Sequence, residues 1–174
     1  MRRSPRLVAP TLLAAVLLTG CLAPDPVPTP PPTDAAPVFA SDEEALAAAE
    51  EAYGRYLAVV DAIFSEGGAS PERLLAHVSE DVYEQELPGF ERIASNGWRG
   101  TGSTSFALTL QSFDDATVVV YSCDDVSSTD LLDASGRSIV KEGRLEHVPF
   151  EVVFDPADEM RIVGRQVWEG SGVC

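Results

Sequence analysis

The side chains that could do chemistry in this chain are few, and their spacing excludes more than it suggests. Cysteines stand at positions 21, 123 and 174, and the only histidines, His77 and His147, are far apart in sequence. The chain has no Gly-x-Ser-x-Gly nucleophile elbow, no HExxH zinc signature and no glycine-rich phosphate loop. His147 precedes an alternating stretch and falls opposite its Val148/Phe150 face, which makes it an exposed or rim residue rather than a ligand or base. Acidic residues cluster at Asp114-Asp115, at Asp124-Asp125 and along Asp155-Pro156-Ala157-Asp158-Glu159. Calcium requires oxygen ligands at regular spacing around a glycine turn, and none of these stretches supplies that. They are read as solvated turn acids, and neither a metal nor another cofactor is expected.

The first cysteine closes a distinctive amino terminus. Arg2, Arg3 and Arg6 precede a stretch from Leu7 to Leu18 that is apolar except for Pro10 and Thr11. As a helix it would reach only ~18 Å, short of the ~30 Å of a bilayer core. A basic flank, a short apolar run and small residues before a break describe an export signal. Leu18-Thr19-Gly20-Cys21 resembles the lipobox of bacterial lipoproteins. That resemblance implies a signal peptide over residues 1–20, removed by cleavage, and a diacylglycerol on the Cys21 sulfur. Two acyl chains anchor stably where one does not. The mature chain would need such an anchor. It would carry nine basic against twenty-eight acidic side chains, a formal charge of −19, which an anionic leaflet repels. The same charge excludes nucleic acid as a partner, because there is no cationic footprint to displace counterions.

Residues 21–40 follow as a lipidated cysteine and tether. Seven of the nineteen residues from Leu22 to Ala40 are proline, too many for a helix or central strand. An extended spacer at ~3.1 Å per residue would reach on the order of 60 Å.

Residues 41–174 have the length of one domain with its own core. Ser41 followed by Glu44 is a capping box. Leu46, Ala49, Tyr53, Leu57, Val60 and Phe64 then recur at helical spacing until Gly67-Gly68 end the run. Ser70-Pro71 opens a short helical piece with Leu74, Leu75 and Val78. Ser79 caps another, expected to break at Pro88-Gly89. Alternation takes over in STSFALTLQSF, ATVVVYSC, LEHVPFEVVF and MRIVGRQVW, the last two expected to form a hairpin across Asp155–Glu159. Asp133–Gly136 reads as a further turn. Helices first and antiparallel strands afterwards give an α+β fold, with a long N-terminal helix and short helices packed on a curved antiparallel sheet of four or more strands.

On this element order, the capped first helix and the aromatic ending at Trp168, residues 41 to about 170 resemble the nuclear transport factor 2-like superfamily, with its SnoaL-like and ketosteroid isomerase-like members. A cystatin-like cone and a β-lactamase-inhibitor-like domain are the alternatives. The chain also resembles small lipoproteins of high-GC Gram-positive bacteria in its Arg-over-Lys bias, Lys141 being its one lysine. If Cys21 is lipidated, Cys123 and Cys174 remain as a pair in an oxidising compartment. A disulfide between them would tie down the C-terminus, the alternative being two free thiols. The superfamily contains isomerases built on an aspartate base and an oxyanion hole of tyrosine and protonated acid, for which Tyr53, Tyr56, Asp61, Asp81 and Tyr83 are the available groups. Tyr53 lies on the apolar stripe and Asp81 in a first helical turn, so no catalytic residue is assigned. Tyr56, Phe90, Trp98 and Phe106 are candidate liners of an apolar cone. The expectation is a lipid-anchored protein on the extracytoplasmic face of the cell membrane, non-catalytic, binding an envelope protein or a small apolar ligand. A SnoaL-like isomerase, cyclase or hydrolase is the alternative.

Overall fold

In the computed structural model, which describes residues 38–174, helices precede strands and pack on an open antiparallel sheet of four strands. The expected signal peptide, the expected lipidation site Cys21 and most of the expected tether lie outside the described residues. No helix among the described residues is long and apolar enough to cross a membrane.

Helix α1, Asp42–Ser65, begins where its capping residues require. The Ser41 hydroxyl accepts from the Glu44 amide at 3.3 Å, and the Glu44 carboxylate accepts from the Ala40 amide at 2.8 Å. Asp42, Glu43 and Glu44 face the positive end of the helix dipole. Its buried face runs through Ala45, Ala49, Tyr53, Tyr56, Leu57 and Ile63. Beyond its end, Gly68 adopts φ +80°, and a Cβ there would fall 2.4 Å from the Phe90 carbonyl oxygen. Only glycine lets the second helix pack so closely.

A 3-10 turn over Pro71–Ala76 leads into helix α2, Glu80–Asn96, capped by Ser79. The expected break at Pro88-Gly89 does not occur: Pro88 lies inside α2. A proline there removes one hydrogen bond at a cost of ~3 kcal/mol. Burying Phe90 and Ile93 beyond it, at 1% and 4% exposure, offsets that cost at ~1.5–3 kcal/mol per side chain. The helix ends instead at Gly97, in the left-handed conformation.

Six strands follow: β1 Arg99–Thr101, β2 Ser105–Phe113, β3 Val118–Asp125, β4 Asp130–Leu132, β5 His147–Asp155 and β6 Arg161–Val167. The sheet runs β2-β3-β5-β6, and β1 pairs with β4 in a separate two-stranded ribbon. The β5–β6 hairpin turns where the sequence placed it, although Val163 is bulged out of the ladder between Val153 and Phe154. Between the helices, Val78 bridges to Ile162, so this connection adds backbone pairing beside β6. The inner sheet face buries Val118, Val120, Val152, Phe154 and Ile162 against the helices.

On the outer face the C-terminal segment lies along β3. Trp168 stacks on Tyr121 with ring centroids 4.4 Å apart. Cys123 and Cys174 stand at disulfide-bonding distance, their Cα atoms 5.2 Å apart. Closing a loop with a sequence separation of 51 residues stabilises by ~4 kcal/mol in the chain-entropy model.

Candidate functional site

The inner face of β3 changes character along its length. Val118 and Val120 are fully buried, and the next two inward positions are Ser122 and Asp124, at 0% and 2% exposure. Asp124 is therefore no turn acid, as its pairing with Asp125 suggested. It is an interior side chain of a central strand, placed inward by the period of two that buries the valines. Asp125 points the other way, 3.8 Å from the exposed His147.

Three further side chains converge on Asp124, and two more join through one of them. From α1, the Tyr53 hydroxyl donates to both carboxylate oxygens, at 3.0 and 2.8 Å. Ser122 donates to Oδ1 from the same strand. From β6, Arg165 donates through Nη2 to Asp124 at 3.1 Å, through Nη1 to Glu86 at 3.2 Å and through Nε to the Tyr53 oxygen at 3.3 Å. Glu86 belongs to α2, and its Oε1 also accepts from the Tyr56 hydroxyl at 3.0 Å. The guanidinium lies 3.5 Å from the Phe150 ring centroid and 5.5 Å from that of Tyr56. One arginine on β6 thus bonds two carboxylates and a phenol, with a second phenol joined through Glu86, from three other elements.

Arg165 faces inward because of the bulge at Val163. Ile162 and Arg165 are three positions apart and both point at the core, which strict alternation forbids. The extra residue restores Arg165 to the inner face opposite Val152. Burial pushes the Tyr53 and Tyr56 phenols well above their ordinary value of 10.0, more than Arg165 pulls them down, and Asp124 and Glu86 add to the rise. Burial opposes the charge of Arg165, but Tyr56, Tyr53 and Glu86 together outweigh it and hold the guanidinium above its usual range.

The cluster forms the inner end of a cleft of about 210 Å³ with Leu57, Val60, Phe64, Val126 and Val148 in its walls. A neighbouring hollow of about 250 Å³ shares Val60, Phe64, Thr104 and Val126 with it and reaches Asp61, Asp130 and Arg144. Asp61 pins one rim, accepting from the Thr104 amide at 3.0 Å and hydroxyl at 3.2 Å. Arg144 pins another, donating to the carbonyls of Val126 and Thr129.

Of the residues singled out from the sequence, Tyr56 lines the cleft, and half-buried Phe106 packs edge-on against Tyr53 with centroids 5.1 Å apart. Phe90 sits in the core behind Phe64, and Trp98 caps the end of α2 through its amide. Tyr53 is a core aromatic, as its place in the stripe indicated, but its hydroxyl belongs to the cluster. Asp81 is exposed in the first turn of α2, and Tyr83 packs on the core. His77 lines a separate hollow beside Arg55 and Arg161, its pKa lowered by burial and by both arginines. Asp114 and Asp155 do hold turns, through the Ala116 and Ala157 amides. Among the described residues no group of three or more His, Cys, Asp or Glu is placed to hold a metal ion.

Sequence reasoning missed Asp124, Glu86 and Arg165. The alternation from Val118 onward signalled the first; nothing local signalled the other two.

As chemistry, the arrangement is a closed ion network. A general base needs a lone pair within reach of the proton it removes, and both oxygens of Asp124 accept from the protein's own donors. Glu86 is the carboxylate on the cleft side, with its side chain 27% exposed against 3% for Asp124. Compared with protein-family models, with curated proteins and with solved structures, the chain has no significant match, and the reading of this cluster rests on its own geometry.

Proposed function

We propose that this protein is a lipid-anchored, extracytoplasmic binding protein whose cleft takes a small, largely apolar ligand, and that it is not an enzyme. The anchor reading is supported by Arg2, Arg3 and Arg6, the Leu7–Leu18 run and the Leu18-Thr19-Gly20-Cys21 string. The likeness to nuclear transport factor 2-like domains belongs to the same proposal and is supported by element order alone.

One observation carries the non-catalytic reading: the interior carboxylate of Asp124 is saturated by Tyr53, Ser122 and Arg165, while the cleft walls beside it are apolar. Clefts of this make-up, apolar with a few fixed polar groups, are where small molecules bind. A second reading has an observation in its favour. Asp124 lines the cleft and accepts from the Tyr53 hydroxyl behind it, a pairing of the kind an isomerase-like Asp/Tyr site would use.

Two measurements test the proposal. Cys21→Ser is expected to move the protein from the detergent to the aqueous phase of a membrane extract; retention in detergent refutes the anchor. Titration calorimetry of the full chain with octanol is expected to show saturable binding that Val60→Trp abolishes by filling the cleft. No binding, or binding indifferent to Val60→Trp, refutes the ligand site. An acid–base activity lost in a folded Asp124→Asn variant would establish the second reading instead.

A further inference from the structure

We infer that the cleft selects a short amphiphile with a cationic head, of the alkylammonium class, over neutral or anionic counterparts. This rests on the ligand-binding reading and adds the head-group chemistry.

The argument is a count of unused hydrogen-bonding capacity. Two cations line the combined cleft, Arg144 and Arg165, against four carboxylates, Asp61, Glu86, Asp124 and Asp130. Both arginines are committed. Arg144 donates to Thr129 Oγ1 and to two backbone carbonyls. Every nitrogen of Arg165 already donates once, and Phe150 lies against its face. An anionic head is left only the guanidinium N–H groups that these bonds do not use, and it would sit beside surplus carboxylates. A cationic head meets the opposite situation. Glu86 uses only Oε1; its Oε2 accepts no hydrogen bond among the described residues. Leu57, Val60, Phe64 and Val148 leave an apolar path for the tail. The acidic surface of the whole chain, −16 formally, concentrates cations near the mouth.

The test is titration calorimetry of the full chain carrying Cys21→Ser with octylammonium, octanol and octanoate. Octylammonium is expected to bind about tenfold more tightly than octanol, the size of one charge-assisted hydrogen bond, and octanoate more weakly than either. Glu86→Gln should erase the preference. Glu84→Gln, which removes the same charge from the exposed side of α2, should keep it. Equal affinities for amine and alcohol, or a preference that Glu84→Gln removes as readily, overturn the inference while leaving the apolar site standing. If no head group binds, or Val60→Trp changes nothing, the ligand site itself fails. Because the three head groups are compared on the unaltered cleft, the outcome does not depend on whether Glu86→Gln folds.

Discussion

Strand β3 is divided between two interiors. At Val118 and Val120 it faces Val152, Phe154 and Ile162, where every buried surface is apolar. Two positions on, Ser122 and Asp124 meet Tyr53 and Arg165, and through Arg165 Glu86, in a network of buried polar groups. Burial contributes directly to stability in the first half, at ~25 cal/mol per Å². In the second it must first offset the desolvation of three charges, and hydrophobic residues of similar volume often do as well or better. A fold that needed only a core could have continued the valine pattern. That β3 abandons it next to a cleft is the strongest physical indication of where function lies.

The sharpest way to break this comparison is to remove the centre of each half. Arg165→Leu leaves Asp124 and Glu86 facing each other without a counter-charge and is expected to destabilise by about 3–5 kcal/mol. Phe154→Ala opens a cavity in the apolar half and should cost a similar ~3–5 kcal/mol. The halves separate in the second round. Adding Asp124→Leu and Glu86→Leu to Arg165→Leu should recover most of the loss, because the uncompensated charges are gone. No second substitution of that kind restores Phe154→Ala short of refilling the volume. Urea unfolding of the three variants against the unaltered protein decides it. If the triple variant is as unstable as Arg165→Leu, the polar half contributes through packing and the contrast is wrong.

The C-terminal strap offers a smaller test. Cys123 sits between Ser122 and Asp124 but points outward, so its bond to Cys174 braces the polar half from behind. Replacing both cysteines by serine is expected to cost ~2–4 kcal/mol. Amide hydrogen exchange should accelerate most at residues 122–125 and least at 118–120 on the same strand. Uniform acceleration along β3 would mean that the strap stabilises the sheet as a whole.

The same division governs what the sequence discloses. The capped α1, the element order and the β5–β6 hairpin follow from local rules: Ser41 with Glu44, the helical stripe, the alternation. Pro88 defeats such a rule because Phe90 and Ile93, beyond it, outweigh one lost hydrogen bond. In the apolar half, the alternating valines announce their own burial. In the polar half, only Asp124 could have been read, by extending the alternation past Val120 rather than by pairing it with Asp125. Arg165 was illegible because a single bulged residue, Val163, sets which way it points. Glu86 was illegible because its role depends on where α2 crosses the sheet. Tyr53 was visible as a core aromatic and Tyr56 as a cone liner, but what their hydroxyls meet is a tertiary fact.

The smallest expected effects come from those hydroxyls, and they grade the polar half internally. Tyr53→Phe removes a donor to a carboxylate that is 3% exposed and should cost roughly 1–3 kcal/mol. Tyr56→Phe removes one from Glu86, at 27% exposure, where water can take its place, so a loss of about 1 kcal/mol or less is expected. Both phenols have folded-state pKa values raised above 10.0, chiefly by burial. The folded protein therefore keeps protons that the unfolded chain gives up. Their contribution is complete below about pH 10 and lost as pH rises through the raised folded values. Thermal melts of the unaltered protein should thus fall steeply above that pH, and the share of tyrosinate absorbance that Tyr53→Phe and Tyr56→Phe remove should appear only as the fold opens. Tyr53→Phe and Tyr56→Phe should each flatten the alkaline loss, because burial is the largest cause of both raised values. If Tyr53→Phe costs no more than Tyr56→Phe at neutral pH, the cluster has no dry and wet side, and the assignment of Glu86 as its solvent-facing carboxylate is mistaken.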